Sequence, residues 1–312
     1  MIRINLPYES CRPIDTNIDV KLLDYKPLWL IANGIRYSHN NHRLSDSYMI
    51  NVLHNQKNQL TCGECGGTNI YRNENDEIEC NDCFTRVPIY HHLGYKDKEL
   101  IKRVGFKYKH ESVLEHSTLS FHIGMSRATL QEFSRHRLIS PTVKSTRYTL
   151  KELKDEKPFY LESDFRCQET EIGKRASKYL IYTGNDRTDH NSILALENVR
   201  QSISVGVSND IAKFSIPESF RTELQFTVNF REFLHILHLR LSPEALWEFR
   251  IVSYLMIKSL PTLFKEIIFT DDKIVNHYKK VEEDLLETDL SILNNIGSGV
   301  APDFEDKGDI NG

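Results

Sequence analysis

The residues best placed to do chemistry lie in one short stretch: Arg135-His136-Arg137, seven residues, then Ser145-Thr146-Arg147-Tyr148. Three arginines and a histidine this close together repel one another unless something anionic sits among them. A phosphate or a nucleotide cofactor is the natural counter-ion. Gln131-Glu132-Phe133-Ser134 leads in, which puts the cluster where a helix ends and a loop begins. No Gly-rich phosphate loop accompanies it, neither G-x-G-x-x-G after a strand nor G-x-x-x-x-G-K-[ST]. Phosphate recognition must then rest on side chains.

A second constellation is Cys62-x-x-Cys65, fourteen residues, Cys80-x-x-Cys83. Four thiolates at this spacing can close a tetrahedral structural zinc site that leaves no open position for catalysis. A redox pair or unpaired thiols are the alternatives, and His91-His92 nearby could replace a cysteine ligand. Gly63, Gly66 and Gly67 flank the first pair, and β-like runs Asn69–Arg72 and Glu77–Glu79 surround an acidic turn, as in a zinc ribbon. Between residues 55 and 90, Lys57, Arg72 and Arg86 stand against Glu64, Glu74, Asp76, Glu77, Glu79 and Asp82. An acidic unit does not seek phosphates, so packing or an oligomer interface is the expected role rather than nucleic acid. Cys11 and Cys167 sit in no nucleophile motif and read as incidental thiols.

The elements that must position these groups belong to a chain of 312 residues, enough for one large domain or two ordinary ones. The formal charge of −4 makes the arginine cluster a local feature on a mildly acidic background, favouring a small anion over a polymer. No apolar run reaches membrane-span length and the start carries no signal-peptide pattern, so a cytoplasmic protein is expected. Strands are predicted at Met1–Leu6 and Thr118–Ile123. Ser126 caps a helix running to about His136, and Pro141 keeps the following loop from becoming helical. Helical spacing marks Lys96–Val104 and His190–Ser204, and Phe233–Leu239 is a further helix candidate. Glu223–Val228 reads as a strand or a helix start. Ser208-Asn209 caps a short helix that Pro217 ends. Ser242-Pro243-Glu244 predicts the start of a helix carrying Leu246, Trp247, Ile251, Tyr254 and Leu255. The tail from about residue 291 is expected to be disordered.

The block Arg135-His136-Arg137-x7-Ser145 resembles the signature of the flavin-dependent thymidylate synthases. The resemblance extends to His110–His116, Ser126–Glu132, Ser145–Leu150, Ile216–Ser219, Asn229-Phe230-Arg231 and the segment around Arg240, in order and spacing, over most of residues 20–265. It implies an α/β (α+β) fold in which residues 1–54 and 94–290 form the catalytic unit. Residues 55–93 would be an inserted zinc-ribbon-like unit. It further implies methylation of dUMP at C5 to give dTMP, with methylenetetrahydrofolate as carbon donor, FAD as flavin and NADPH as reductant, in a homotetramer with active sites between subunits. The nucleotide, the flavin and the folate are all anionic, and the flavin rather than a cysteine or metal carries the redox chemistry.

Residue by residue, the resemblance assigns Arg135, His136 and Arg137 to FAD, with Arg135 also near the nucleotide. Asn229 and Arg231 follow on the flavin side, with Ser38, His110 and Ser112 at weaker positions. Ser145, Arg147 and Glu132 fall at dUMP positions. Arg240 matches the arginine at the uracil edge, and it and Ser145 are the expected catalytic residues. Five positions depart from the pattern. Val143 replaces a Glu, leaving a backbone contact. Lys213 replaces an Arg at the dUMP phosphate and loses its bidentate fork. His235 stands where an Asn often contacts flavin, and Pro141-Thr142 departs within the loop. Two competing readings stay open: flavin-dependent hydroxymethylation of a pyrimidine nucleotide, and a non-catalytic zinc-ribbon binding protein.

Overall fold

The computed structural model describes residues 2–4, 14–163 and 165–285; the expected disordered tail and Cys11 lie outside them. The elements in order are β1 (Ile2–Ile4), β2 (Ile14–Thr16), β3 (Asp19–Tyr25), α1 (Trp29–Ser38), α2 (Tyr48–Leu53), β4 (Ile70–Arg72), β5 (Glu77–Cys80) and β6 (Arg86–Pro88). Then come α3 (Tyr95–Ile101), β7 (Thr118–Ser126), α4 (Arg127–Phe133), β8 (Ile139–Val143), α5 (Thr146–Thr149), α6 (Glu171–Ala176), α7 (Asp186–Ser204) and α8 (Asn209–Ala212). The chain continues through β9 (Arg221–Asn229), α9 (Phe230–Arg240), α10 (Trp247–Lys258), α11 (Thr262–Ile268) and α12 (Asp272–Asp284).

The organising element is an antiparallel four-stranded sheet of order β3-β7-β9-β8. Period-two alternation sets its inner face. Leu119, Phe121, Ile123 and Met125 of β7 point the same way as Leu224, Phe226 and Val228 of β9, and all are buried. Helices α4, α9 and α10 cover this face through aromatic contacts. Phe121 stacks on Phe226 and Phe233, and Phe133 packs against Phe226 and Phe249 with centroids 4.8 Å apart in both pairs. The fold is thus mixed helix and sheet, of the α+β kind because the sheet is antiparallel. Among the described residues no helix is long and apolar enough to cross a membrane.

The structure departs from the sequence reading at two places. The loop expected around Pro141 is strand β8, paired with β9 so that Pro141 lies opposite Phe226. Proline is tolerated there because β8 is the sheet edge and owes no hydrogen bond on its outer side. The helix predicted to start at Ser242 starts at Trp247 instead. Residues 242–245 make only one turn, closed by Ala245 N–H donating to the Ser242 carbonyl. Burial decides the outcome: every residue from Glu248 to Ile257 is buried, so the core fixes where α10 lies.

Candidate functional site

Strand β9 ends at Asn229, whose Oδ1 accepts from Glu232 N–H at 2.8 Å and caps α9. The first turns of α9 therefore present Arg231, Glu232 and His235 at the sheet end, and its last residue is Arg240. Helix α4, capped by Ser126, delivers Arg135-His136-Arg137 beside them.

The three members of that triplet have different fates. Arg135 and Arg137 are exposed, and neither has an acidic partner among the described residues. His136 is buried, with its ring near Phe133, His235 and Phe249. Its Nδ1 meets Glu232 Oε1 at 3.2 Å and its Nε2 accepts Arg240 Nε–H at 3.1 Å. Burial lowers the proton affinity of His136, with the Arg240 charge adding to it and Glu232 opposing. A neutral ring carrying its proton on Nδ1 satisfies both contacts. The mutual repulsion expected of the cluster is relieved in part by this neutral histidine.

Arg240 is held through three of its five N–H donors, one of them on His136. Nη1 donates to Glu132 Oε2 at 2.6 Å, Nη2 to the Glu132 carbonyl at 3.2 Å, and the guanidinium lies 4.9 Å from the Phe249 ring centroid. Glu132, expected at the nucleotide, is in this arrangement the carboxylate that aims Arg240.

Arg231 bridges to Glu111 at 3.3 Å and Glu115 at 2.8 Å, tying α9 to the 3₁₀ turn Glu111–His116 that follows His110. Ser112 lies in that turn, exposed, as is His110. A cleft of about 780 Å³ runs past this junction, lined by Lys109, Glu111, Arg231, Glu232, His235 and Leu138 among others. Ser38 closes α1, its Oγ donating to the Ile35 carbonyl at 2.8 Å.

The other half of the signature is held elsewhere. Strand β8, about 17 Å long at the usual strand rise, separates Arg137 from Ser145. Ser145 begins α5, and Asn209 Nδ2 donates to the Arg147 carbonyl at 2.6 Å, pinning α5 to α8. Lys213 follows α8 and lies 3.9 Å from Asp210. Val143 is exposed at the end of the edge strand. The structure thus groups His110, Ser112, Asn229, Arg231, His235 and the triplet at one end of β8. Ser145, Arg147 and Lys213 belong to the other.

The four cysteines converge. Cys62 and Cys83 sulfurs are 3.6 Å apart, as are those of Cys65 and Cys80, and all four lie within 4.8 Å of one another. A tetrahedral Zn–S₄ site with 2.3 Å bonds has sulfur–sulfur edges of about 3.8 Å. The donor set and spacing therefore fit one zinc ion. His92 is not a ligand: Nδ1 accepts from Tyr48 N–H at 3.1 Å and Nε2 donates to the Thr61 carbonyl at 3.0 Å. His136, Glu232 and His235 also lie close together, but the Arg240 cation on His136 Nε2 opposes a metal there.

Sequence reasoning missed Glu232 and the Glu111–Glu115 pair. Asn229-x-x-Glu232 has the spacing of a capping box, which could have marked Glu232 as structural. Its carboxylate instead turns to His136, a long-range contact that no local pattern carries.

The family model described as thymidylate synthase complementing protein matches residues 25–264. The flavin-dependent thymidylate synthase of Campylobacter jejuni strain RM1221 is 49% identical over 175 residues, covering 56% of this chain and 80% of the relative. That of Wolinella succinogenes is 48% identical over 169 residues, covering 54% and 78%. Among solved structures, Helicobacter pylori thymidylate synthase X with FAD and dUMP aligns at a TM-score of 0.62 and 32% identity, over 82% of this chain and 99% of that one. The chain belongs to the thymidylate synthase complementing protein family, the family of the flavin-dependent thymidylate synthases.

Proposed function

We propose that the chain transfers a one-carbon unit from methylenetetrahydrofolate to C5 of dUMP, giving dTMP, with FAD as the hydride carrier and NADPH as the reductant. The observation that carries this reading is the pair Arg135 and Arg137, exposed and without acidic partners among the described residues, flanking a buried His136 that is bonded to Arg240. Leu138, next to Arg137, lines the large cleft, and exposed arginines without acidic partners there suit a dinucleotide with two phosphates.

In this reading Arg135, His136, Arg137, Asn229, Arg231, His235, Ser38, His110 and Ser112 hold FAD. Ser145, Arg147, Lys213, Arg135, Glu132 and the Val143 backbone hold dUMP. Arg240, aimed by Glu132 and His136, stabilises negative charge developing on the uracil ring and so activates C5. Its fixed guanidinium needs little reorganisation when that charge appears. The four cysteines hold a structural zinc ion in an inserted unit spanning residues 55–93, carried by a catalytic unit of residues 1–54 and 94–290.

The 17 Å scale of β8 supports active sites completed between subunits of a homotetramer, because one subunit's triplet and its own Arg147 sit at opposite strand ends. The apolar side chains of Val205 and Phe214, 81% and 83% exposed and flanking α8 in the sequence, support the same assembly. The absorption spectrum of the purified chain and the product mass test the function. A flavin spectrum and dTMP from dUMP are expected. A colourless chain that fails to bind added FAD, or 5-hydroxymethyl-dUMP as sole product, would overturn it.

A further inference from the structure

The reaction has no use for the cysteine unit, yet its base is built into the elements that carry the flavin-side residues. Thr61, immediately before Cys62, and His92, after the last ribbon strand, face each other through the hydrogen bond from His92 Nε2 to the Thr61 carbonyl. The Thr61 hydroxyl donates to Asp46 Oδ2 at 2.5 Å and accepts Tyr95 N–H at 2.9 Å. Asp46 in turn accepts from Lys96 N–H at 2.7 Å and Asp97 N–H at 3.1 Å, capping α3 from a separate segment of chain. Gly63, beside Cys62, packs so closely on the Leu93 carbonyl that a Cβ there would come within 2.3 Å.

From α3 the network reaches α1. Asp97, wholly buried, pairs with Arg36 Nε at 2.5 Å and accepts from the hydroxyls of Ser45 and Ser47, both at 2.6 Å. Arg36 lies two residues before Ser38. Helix α3 runs on through a wider π-helical stretch, Lys102–Lys107, to His110. One continuous set of buried hydrogen bonds therefore runs from the base of the cysteine unit to α1, which ends at Ser38, and to α3, whose π-helical extension ends at Lys107 and accepts His110 N–H at the Val104 carbonyl.

The unit cannot hold that base alone. Its sheet has strands of three, four and three residues, and its buried apolar side chains are few: Ile78, Leu93, Cys62 and Cys80. A domain this small needs a metal or other crosslink to be ordered, so metal binding and folding are one event.

We propose that zinc in the cysteine unit acts as a staple that fixes helices α1 and α3, with Thr61, Asp46 and Asp97 as positioning residues for the flavin-side segments. This rests on the FAD and zinc readings above. Loss of the metal unfolds the unit, withdraws Thr61 from Asp46 and His92, and loosens the segments bearing Ser38 and His110.

The test uses the full chain in three forms: wild type, a Cys65→Ser/Cys83→Ser variant that cannot close the site, and Thr61→Val, which keeps the four cysteines but cuts the link to Asp46. Metal content, FAD affinity by flavin fluorescence, and hydrogen exchange are read for each. Wild type should carry one zinc per chain. The cysteine variant should lose it, bind FAD about tenfold more weakly, and exchange faster across residues 29–53 and 95–116. Thr61→Val should keep its zinc and still show weaker FAD binding and faster exchange in those segments. Unchanged exchange and FAD affinity in both variants would overturn the staple, as would a wild-type chain without metal. A wild-type chain that holds zinc but binds no FAD would overturn the flavin reading instead, and the exchange comparison then decides the staple on its own.

Discussion

Arg240 donates its Nε–H to His136 Nε2 across 3.1 Å, and that bond fixes the state of the histidine. A nitrogen that accepts a hydrogen bond carries no proton, so the ring is neutral and its one N–H is on Nδ1, directed at Glu232. Glu232, His136 and Arg240 form a chain in which each group orients the next.

Glu232 should matter as an acceptor. Glu232→Gln retains an oxygen that can take the Nδ1–H, whereas Glu232→Leu leaves a buried donor unpaired, at a cost of about 1–3 kcal/mol. Urea denaturation should find the Leu variant less stable than the Gln variant by that order. Labelling with ¹⁵N-histidine should show the Nδ1–H tautomer for His136 in the wild type. Equal stability of the two variants, or an Nε2–H tautomer, would refute the arrangement.

The same chain predicts a pH dependence of stability. Burial holds the folded His136 pKa below its unfolded value of about 6.5. The unfolded state then binds more protons between the two values, so stability falls as pH falls through that window. His136 contributes its full share above about pH 6.5 and loses it on the way down to the folded pKa. Denaturation at pH 7.5 and pH 5.5 should show a drop for wild type and a smaller drop for His136→Asn, which does not titrate. Identical drops would place the dependence elsewhere, for instance on His92, whose proton affinity burial also lowers.

Local signals in the sequence marked what local physics decides. Ser126 was legible as an N-cap because its hydroxyl accepts from Thr129 N–H, three residues on. Alternation exposed β7, and the C-x-x-C spacing announced the cysteine cluster. What stayed hidden is tertiary. Pro141 forms a strand only because β8 lies at a sheet edge, and α10 begins at Trp247 because the core buries it from there. The pairing of Arg36 with Asp97 spans 61 residues, and that of Glu132 with Arg240 spans 108. No window of sequence contains both partners. The resemblance divided the signature between Arg135–Arg137 and Ser145–Arg147, but no local pattern showed that a strand, β8, lies between them.

That separation gives the arginines distinct signatures. Arg137→Ala should weaken FAD binding by about ten- to hundredfold, the worth of one or two lost charge-assisted hydrogen bonds, while FAD-saturated enzyme keeps its dUMP affinity. Arg147→Ala should raise the KM for dUMP by a similar factor and leave FAD affinity near wild type. Flavin fluorescence titration and steady-state kinetics measure the two effects separately. Loss of both ligands in both variants would mean that the two ends of β8 serve one ligand.

The two cysteine knuckles carry a final contrast. Gly66 follows Cys65 and Phe84 follows Cys83, and both adopt left-handed backbone, with φ of +74° and +60°. Glycine takes that conformation freely, but a phenylalanine pays about 1–3 kcal/mol of strain for it. The Phe84 ring recovers little of this, being 79% exposed. Phe84→Gly should therefore keep the metal and raise the thermal midpoint, the strain relief being partly offset by the greater entropy of an unfolded glycine. Gly66→Ala should do the opposite, because its Cβ would meet the Tyr95 ring at 3.3 Å in a conformation alanine resists. Calorimetry with metal analysis on both variants decides the matter. A lower midpoint for Phe84→Gly would show that the entropy of the added glycine outweighs the backbone strain, and the strain account of the second knuckle would then fail.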